Sequence, residues 1–189
     1  LKFQFFVLNN DTVNAFALPG GYVYISRGLV ALAEDEAELA GVIGHEIGHV
    51  TARHSAQRYS SAMATNIGLT AVGILGSVLG APSGLGNLAS FGAQAALQSY
   101  SRSQELEADK LGVRYMTQLG YDPSALGDFF SKLDAHTTIH AKKAGQSADK
   151  FNIMQTHPRT SDRINQAKIL AKTETPPDAR RDRQPFLSQ

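Results

Sequence analysis

Residues 45 to 49 read His-Glu-Ile-Gly-His, and these residue types at this spacing can do metal chemistry. Two histidines four apart on a helix lie one turn above each other on one face. Their imidazoles can bind a single metal ion, and Glu46 reaches the space beside it. This is the H-E-x-x-H arrangement of a zinc peptidase, with the glutamate as general base. One histidine among apolar helix residues reads as a satisfied core group. Two at the ligand spacing, with a glutamate next to the first, read as a site. A buried Glu46 without a positive partner would be costly, and a nearby dication removes that cost.

A second set of candidates lies downstream. Glu105 and Asp109 are four apart and share a helix face, while Glu107 points elsewhere. Ala108 and Gly112 run along the acidic side and leave room for a close neighbour. Such a pair is either a solvated surface or what a two-histidine site lacks, a carboxylate ligand and a carboxylate that orients a histidine. His136 and His140 are also four apart, but no glutamate intervenes, and a solvated helix face accounts for them.

The elements that must position these groups follow from pattern. Asp35 and Glu38 form a capping-box-like start to a helix carrying Leu39, Val42, Ile43, Ile47 and Val50 as an apolar stripe. Gly41, Gly44 and Gly48 each weaken that helix, and close approach of another backbone is the expected compensation. Upstream, residues 2 to 8 suit a strand. Residues 13 to 18, a turn at Pro19-Gly20-Gly21 and Tyr22 to Ser26 suit a hairpin, which either only closes the core or also offers an edge to an extended peptide. A short helix is expected over 28 to 33. The acidic helix runs from Ser101 to a cap at Gly120. A third helix starts at Asp122-Pro123 with Leu126, Phe129, Phe130 and Leu133 as its core stripe. A fourth follows Thr160 or Ser161 with Ile164, Ala167 and Ile169 or Leu170 inward.

Composition sets limits. The 189 residues suffice for one domain with a core, and 42% hydrophobic with 19% charged residues is a globular balance. A net charge of +1 gives no reason to expect nucleic acid as a partner. With no cysteine, only His, Glu and Asp remain as metal ligands. No charged residue or histidine occurs from Tyr59 to Ser101. The apolar run inside that region is too short to span a membrane, which leaves a buried helical hairpin or an exposed flap meeting membrane or unfolded substrate. The chain opens at Leu1-Lys2-Phe3 without a signal-peptide pattern, consistent with a fragment from which a targeting segment has been removed. Residues 1–172 are expected to form the domain and 173–189 a flexible tail or linker.

Four motifs in one order carry a resemblance: Asn14-Ala15-Phe16 leading to Leu18-Pro19-Gly20-Gly21, His45-Glu46-Ile47-Gly48-His49, Ser-Arg-x-x-Glu-x-x-Ala-Asp ending at Asp109, and His157-Pro158 with Arg163. The chain resembles the HtpX/BepA-like gluzincin metalloendopeptidases, relatives of the CAAX prenyl protease and the Oma-type proteases, from about residue 9 to 171. The resemblance implies a zincin-like α+β fold, mostly helical, with a small N-terminal β-hairpin or sheet against a helical core bearing the H-E-x-x-H helix. It implies one Zn2+ held by His45, His49 and Glu105, with Glu46 as catalytic base. Asp109 matches an acidic position that partners a ligand histidine or donates a proton. His157 matches a histidine that stabilises the transition state or fills the open metal position, and Arg163 an arginine supporting the same region. Asn14, Ala15 and Phe16 would lie along the substrate. Unlike membrane-embedded members, this chain shows no flanking transmembrane helices and resembles the periplasmic, cell-envelope branch. That branch acts on unfolded or membrane-associated proteins, and its members can carry a C-terminal helical-repeat domain. The rival expectation is a zinc-bearing chaperone-like or latent module that binds such proteins with little cleavage.

Overall fold

The computed structural model contains the expected hairpin and, within residues 2 to 8, the expected further strand. It describes residues 1–58, 60, 61, 63, 64, 99–143, 153, 157 and 161–187. β2 (Ala15–Leu18) and β3 (Tyr22–Ser26) pair antiparallel, and β1 (Gln4–Leu8) pairs parallel with β3, giving the order β1-β3-β2. The turn needs positive φ at Gly20 (101°) and Gly21 (92°), angles that residues with a Cβ rarely adopt. Phe6, Tyr24 and Phe16 lie in register and stack at 5.1 and 5.0 Å across one face. Ala15, Ala17, Val23 and Ile25 alternate with them and are buried. β2 and β3 thus turn this aliphatic face into the core, whereas every residue of β1 is exposed.

Ser26 ends β3 and caps α1 (Arg27–Leu32) by accepting from the Leu29 amide at 3.2 Å. Asp35 caps α2 (Glu36–Thr51), accepting from the Glu38 amide at 2.9 Å. The return bond of the expected capping box is displaced by one residue, because Glu38 accepts from the Glu34 amide at 2.8 Å. Of the expected α2 stripe only Val42 is fully buried; Leu39, Ile43, Ile47 and Val50 are half-buried. The deepest face instead carries Gly41, Gly44, His45, Glu46, Gly48 and His49. The reason is α3 (Arg102–Gln118), which lies directly on the glycines. A Cβ at Gly44 would meet the Gly112 Cα at 3.2 Å, and one at Gly48 the Ala108 carbonyl oxygen at 3.0 Å. The contact repays the cost of helical glycine and puts the two chemical motifs face to face.

Ser101 caps α3 in a full capping box with Gln104. The helix ends at a glycine with φ 75°, Gly120, where the Tyr121 amide bonds the Met116 carbonyl at 2.9 Å. α4 (Ser124–Lys143) buries Leu126, Phe129, Phe130 and Leu133 as expected, and α5 (Ser161–Glu174) buries Arg163, Ala167 and Ala171. Ile164 and Leu170 pack on the core edge, and Ile169 faces outward.

The segment after Thr173, set apart in sequence as a tail or linker, returns across the molecule. Arg180 and Tyr121 form an isolated bridge. Arg181 pairs with Asp35 at 2.7 Å and Asp128 at 2.8 Å, tying the start of α2 to α4. Phe186 of α6 (Arg183–Leu187) rests on the core. Among the described residues no helix is long and apolar enough to cross a membrane. The uncharged region between residues 59 and 101 lies almost wholly outside the described residues, as does the His140 side chain.

Candidate metal centre

α2 presents His45 and His49 on the face covered by α3, and their Nε2 atoms approach to 3.0 Å. Glu105 enters from the first turn of α3, with Oε1 3.3 Å from His49 Nε2 and Oε2 3.6 Å from His45 Nε2. His157 closes the fourth side, its Nδ1 2.9 Å from Glu105 Oε1 and 3.2 Å from His45 Nε2. One ligand atom from each of these four buried residues lies within 4.8 Å of all the others. Neighbouring imidazole lone pairs repel unless a proton or a cation lies between them, and this donor set of nitrogens and one carboxylate suits a divalent metal. Glu46 is also buried, and its Oε1 has no hydrogen-bond partner, the nearest charged contact being His157 Nε2 at 3.4 Å. A buried carboxylate oxygen left open beside converging metal donors fits a site that takes up an ion and a water molecule.

Behind His45 lies Asp109, with Oδ1 2.8 Å from His45 Nδ1. Arg163 donates to both Asp109 oxygens through Nε and Nη2 at 2.7 Å each, while Nη1 pairs with Glu105 Oε2. Its guanidinium also covers the Phe130 ring at 4.8 Å. Burial pushes the Asp109 carboxyl up, but Arg163 and His45 outweigh it and hold the group below its ordinary range. The Asp109 carboxylate thus sits between the Arg163 guanidinium and the outer ring nitrogen of His45. Burial opposes ionisation of Glu105 too, yet the bonds from His157 and His49 leave it strongly depressed. Burial depresses the His45 imidazole, the Asp109 contact more than reverses this, and the group ends up raised. For His49 burial wins, and its pKa falls to about 2.

Every residue of the expected ligand and catalytic set, His45, Glu46, His49, Glu105, Asp109, His157 and Arg163, thus meets in one cluster. Arg163 commits its Nε, Nη1 and Nη2 to the Asp109 and Glu105 carboxylates. Ala15 and Phe16 lie on β2, an edge strand packed beside α2, and Asn14 immediately precedes it. Among the described residues they make no hydrogen bond or ring contact with the four converging side chains. Sequence reading missed Tyr100, whose ring stacks on His49 at 3.8 Å. It also missed His54, fully buried with Nδ1 3.0 Å from His49 Nδ1. An aromatic before a helix start carries no metal signal, and Arg53, with φ 58°, breaks the helical period that would have related His54 to His49.

The sequence pattern of peptidase family M48 matches residues 1–171. The chain belongs to that family. M48 peptidases are metal-dependent, in keeping with the donor cluster. A beta-barrel assembly-enhancing protease of Escherichia coli O157:H7 is 36% identical over 182 residues, covering 92% of this chain and 35% of its own length. The protein of the same description from Yersinia pestis is 34% identical over 180 residues, with the same coverage. A mitochondrial metalloendopeptidase OMA1 from Schizosaccharomyces pombe is 33% identical over 166 residues, 87% of this chain and 45% of that protein. The chain therefore spans about a third to a half of the length of these M48 relatives.

Proposed function

We propose that the chain is the zinc-dependent endopeptidase domain of an M48 protease, holding Zn2+ through His45, His49 and Glu105 and cleaving unfolded or misassembled proteins of the cell envelope. The observation that carries this reading is the convergence of His45 Nε2, His49 Nε2 and the Glu105 carboxylate beside the unpartnered Glu46 Oε1. Two imidazoles and a carboxylate form the ligand type of catalytic zinc sites that keep one position open. Zinc, when bound, supplies the Lewis acidity that brings the pKa of a water molecule down to about 7.

Glu46 Oε1 would accept the proton of the attacking water and hand it to the leaving amine. His157, whose Nε2 lies 3.4 Å from Glu46 Oε1, is the group beside the reacting atoms that can donate to the developing oxyanion. Asp109 and Arg163 hold His45 and Glu105 in place. β2 at the sheet edge offers backbone groups to an extended polypeptide, which favours unfolded segments over folded surfaces. The relatives named as assembly-enhancing proteases support an envelope setting.

Glu46→Gln tests the mechanism. It should keep the metal, read by elemental analysis, and abolish cleavage of unfolded casein; retained turnover would exclude Glu46 as the base. A second reading is favoured by one observation: His157 is itself a member of the four-residue donor cluster. If it fills the fourth metal position, the domain is latent or chaperone-like and binds unfolded proteins with little cleavage. Chelator-sensitive casein cleavage supports the peptidase, and binding without turnover supports the latent module.

A further inference from the structure

His49 turns Nε2 toward Glu105 and His45, so its Nδ1 faces away from the donor cluster. A neutral imidazole that offers its Nε2 lone pair to a metal carries its proton on Nδ1. That N–H meets His54 Nδ1 at 3.0 Å, and two ring nitrogens at that distance form a hydrogen bond only if one of them is bare. The bare one is then His54 Nδ1. A neutral His54 with a bare Nδ1 carries its proton on Nε2, which lies 3.3 Å from Glu107 Oε2. His54 is fully buried, whereas the Glu107 side chain is 61% exposed.

We propose that His54 and Glu107 are positioning residues for the metal. The Glu107 carboxylate holds the His54 proton on Nε2, and the freed Nδ1 lone pair accepts the Nδ1–H of His49, aiming His49 Nε2 at the ion. The inference rests on the reading of His49 as a metal ligand. It gives work to Glu107, which helical spacing sets off the face shared by Glu105 and Asp109. Glu107 reaches His54 because His54 lies beyond the end of α2, past the left-handed Arg53. Tyr100 supports the same ring by stacking on His49, with its hydroxyl 3.0 Å from Ser55 Oγ.

The test measures Zn2+ affinity of the full chain by competition with a chromophoric chelator, in wild type and three variants. His54→Phe removes the acceptor and should weaken binding about 10–100-fold, the range for loss of a ligand's outer partner. His54→Asn, whose Oδ1 falls near the position of Nδ1, should restore most of that loss. Glu107→Ala changes only an exposed side chain, so it folds normally, and it should weaken Zn2+ by up to about tenfold. Nitrogen–proton correlation of the histidine rings in the Zn2+-loaded protein reads the tautomers directly. Wild type should show His49 protonated on Nδ1 and His54 on Nε2, and Glu107→Ala a mixture of His54 tautomers. A His54 protonated on Nδ1 in the loaded wild type, or unchanged affinity in both His54→Phe and Glu107→Ala, overturns the relay alone. A wild-type chain that takes up no Zn2+ overturns the metal reading and the relay with it.

Discussion

On the His45 side, the outer ring nitrogen meets a buried carboxylate that is itself clamped by a buried arginine. On the His49 side it meets a second imidazole, whose far nitrogen ends at a carboxylate in solvent. The two histidines belong to one motif, one turn apart, yet one faces an enclosed ion pair and the other an imidazole whose far nitrogen lies beside an exposed carboxylate. The physical difference is where the charge sits. Enclosed charges are costly unless every one is matched, so Asp109, Glu105 and Arg163 stand or fall together. A neutral imidazole can be buried at modest cost, and the charge that sets its tautomer can stay in water.

That contrast can be broken at several points. The largest effect is expected for Arg163→Met, which leaves Glu105 and Asp109 buried without their cation. The metal-free protein should lose about 3–5 kcal/mol, the usual result of removing one partner of a buried pair. Denaturant unfolding measures it, and a loss under about 1 kcal/mol would mean that solvent reaches the carboxylates.

The next effect is on protonation. His45 is raised above 6.5 and so keeps its proton when pH rises past that value, whereas His49, lowered to about 2, is already neutral well below it. Ring-carbon NMR of the metal-free chain at about pH 6.5, the ordinary histidine value, should show His45 mostly charged and His49 neutral. Metal uptake should then weaken with falling pH through proton competition at His45. Two histidines titrating together near 6.5 would erase the distinction.

The smallest effect sharpens it from the other side. Glu107→Ala should change unfolding stability by no more than about 0.5 kcal/mol, as at other surface positions. A loss as large as that of Arg163→Met would show that the outward chain carries the fold as well as the ligand.

How much of this was legible in sequence follows the same division. His45, Glu46 and His49 on one helix, and Glu105 with Asp109 on another, are related by the helical period and could be paired from spacing. The glycines of α2 could be read as a place for a neighbouring backbone, though not for Gly112 as that neighbour. His54 escaped because the helix ends between it and His49. The parallel pairing of β1 with β3 joins Gln4 to Tyr22 across the intervening hairpin strand, and no local pattern encodes that. Arg181 reads as part of a charged tail; only the fold shows that its partners are Asp35, 146 residues earlier, and Asp128. Local order was readable, and contacts made after a break in the period were not.

The meeting of Gly44 with Gly112 has a consequence for metal choice. Because main chain rests on main chain, the distance from one helix axis to the other is fixed before any ligand side chain is chosen. The centre behaves as a frame of set gauge, in which only side-chain torsions can accommodate an ion of different radius. Gly112→Ala would shift that gauge, since its Cβ would meet the His45 amide nitrogen at 3.0 Å. The preference among divalent ions should then change while every donor atom stays the same. Gly44 and Gly112, which have no side chain at all, would then bear on which ion the centre prefers.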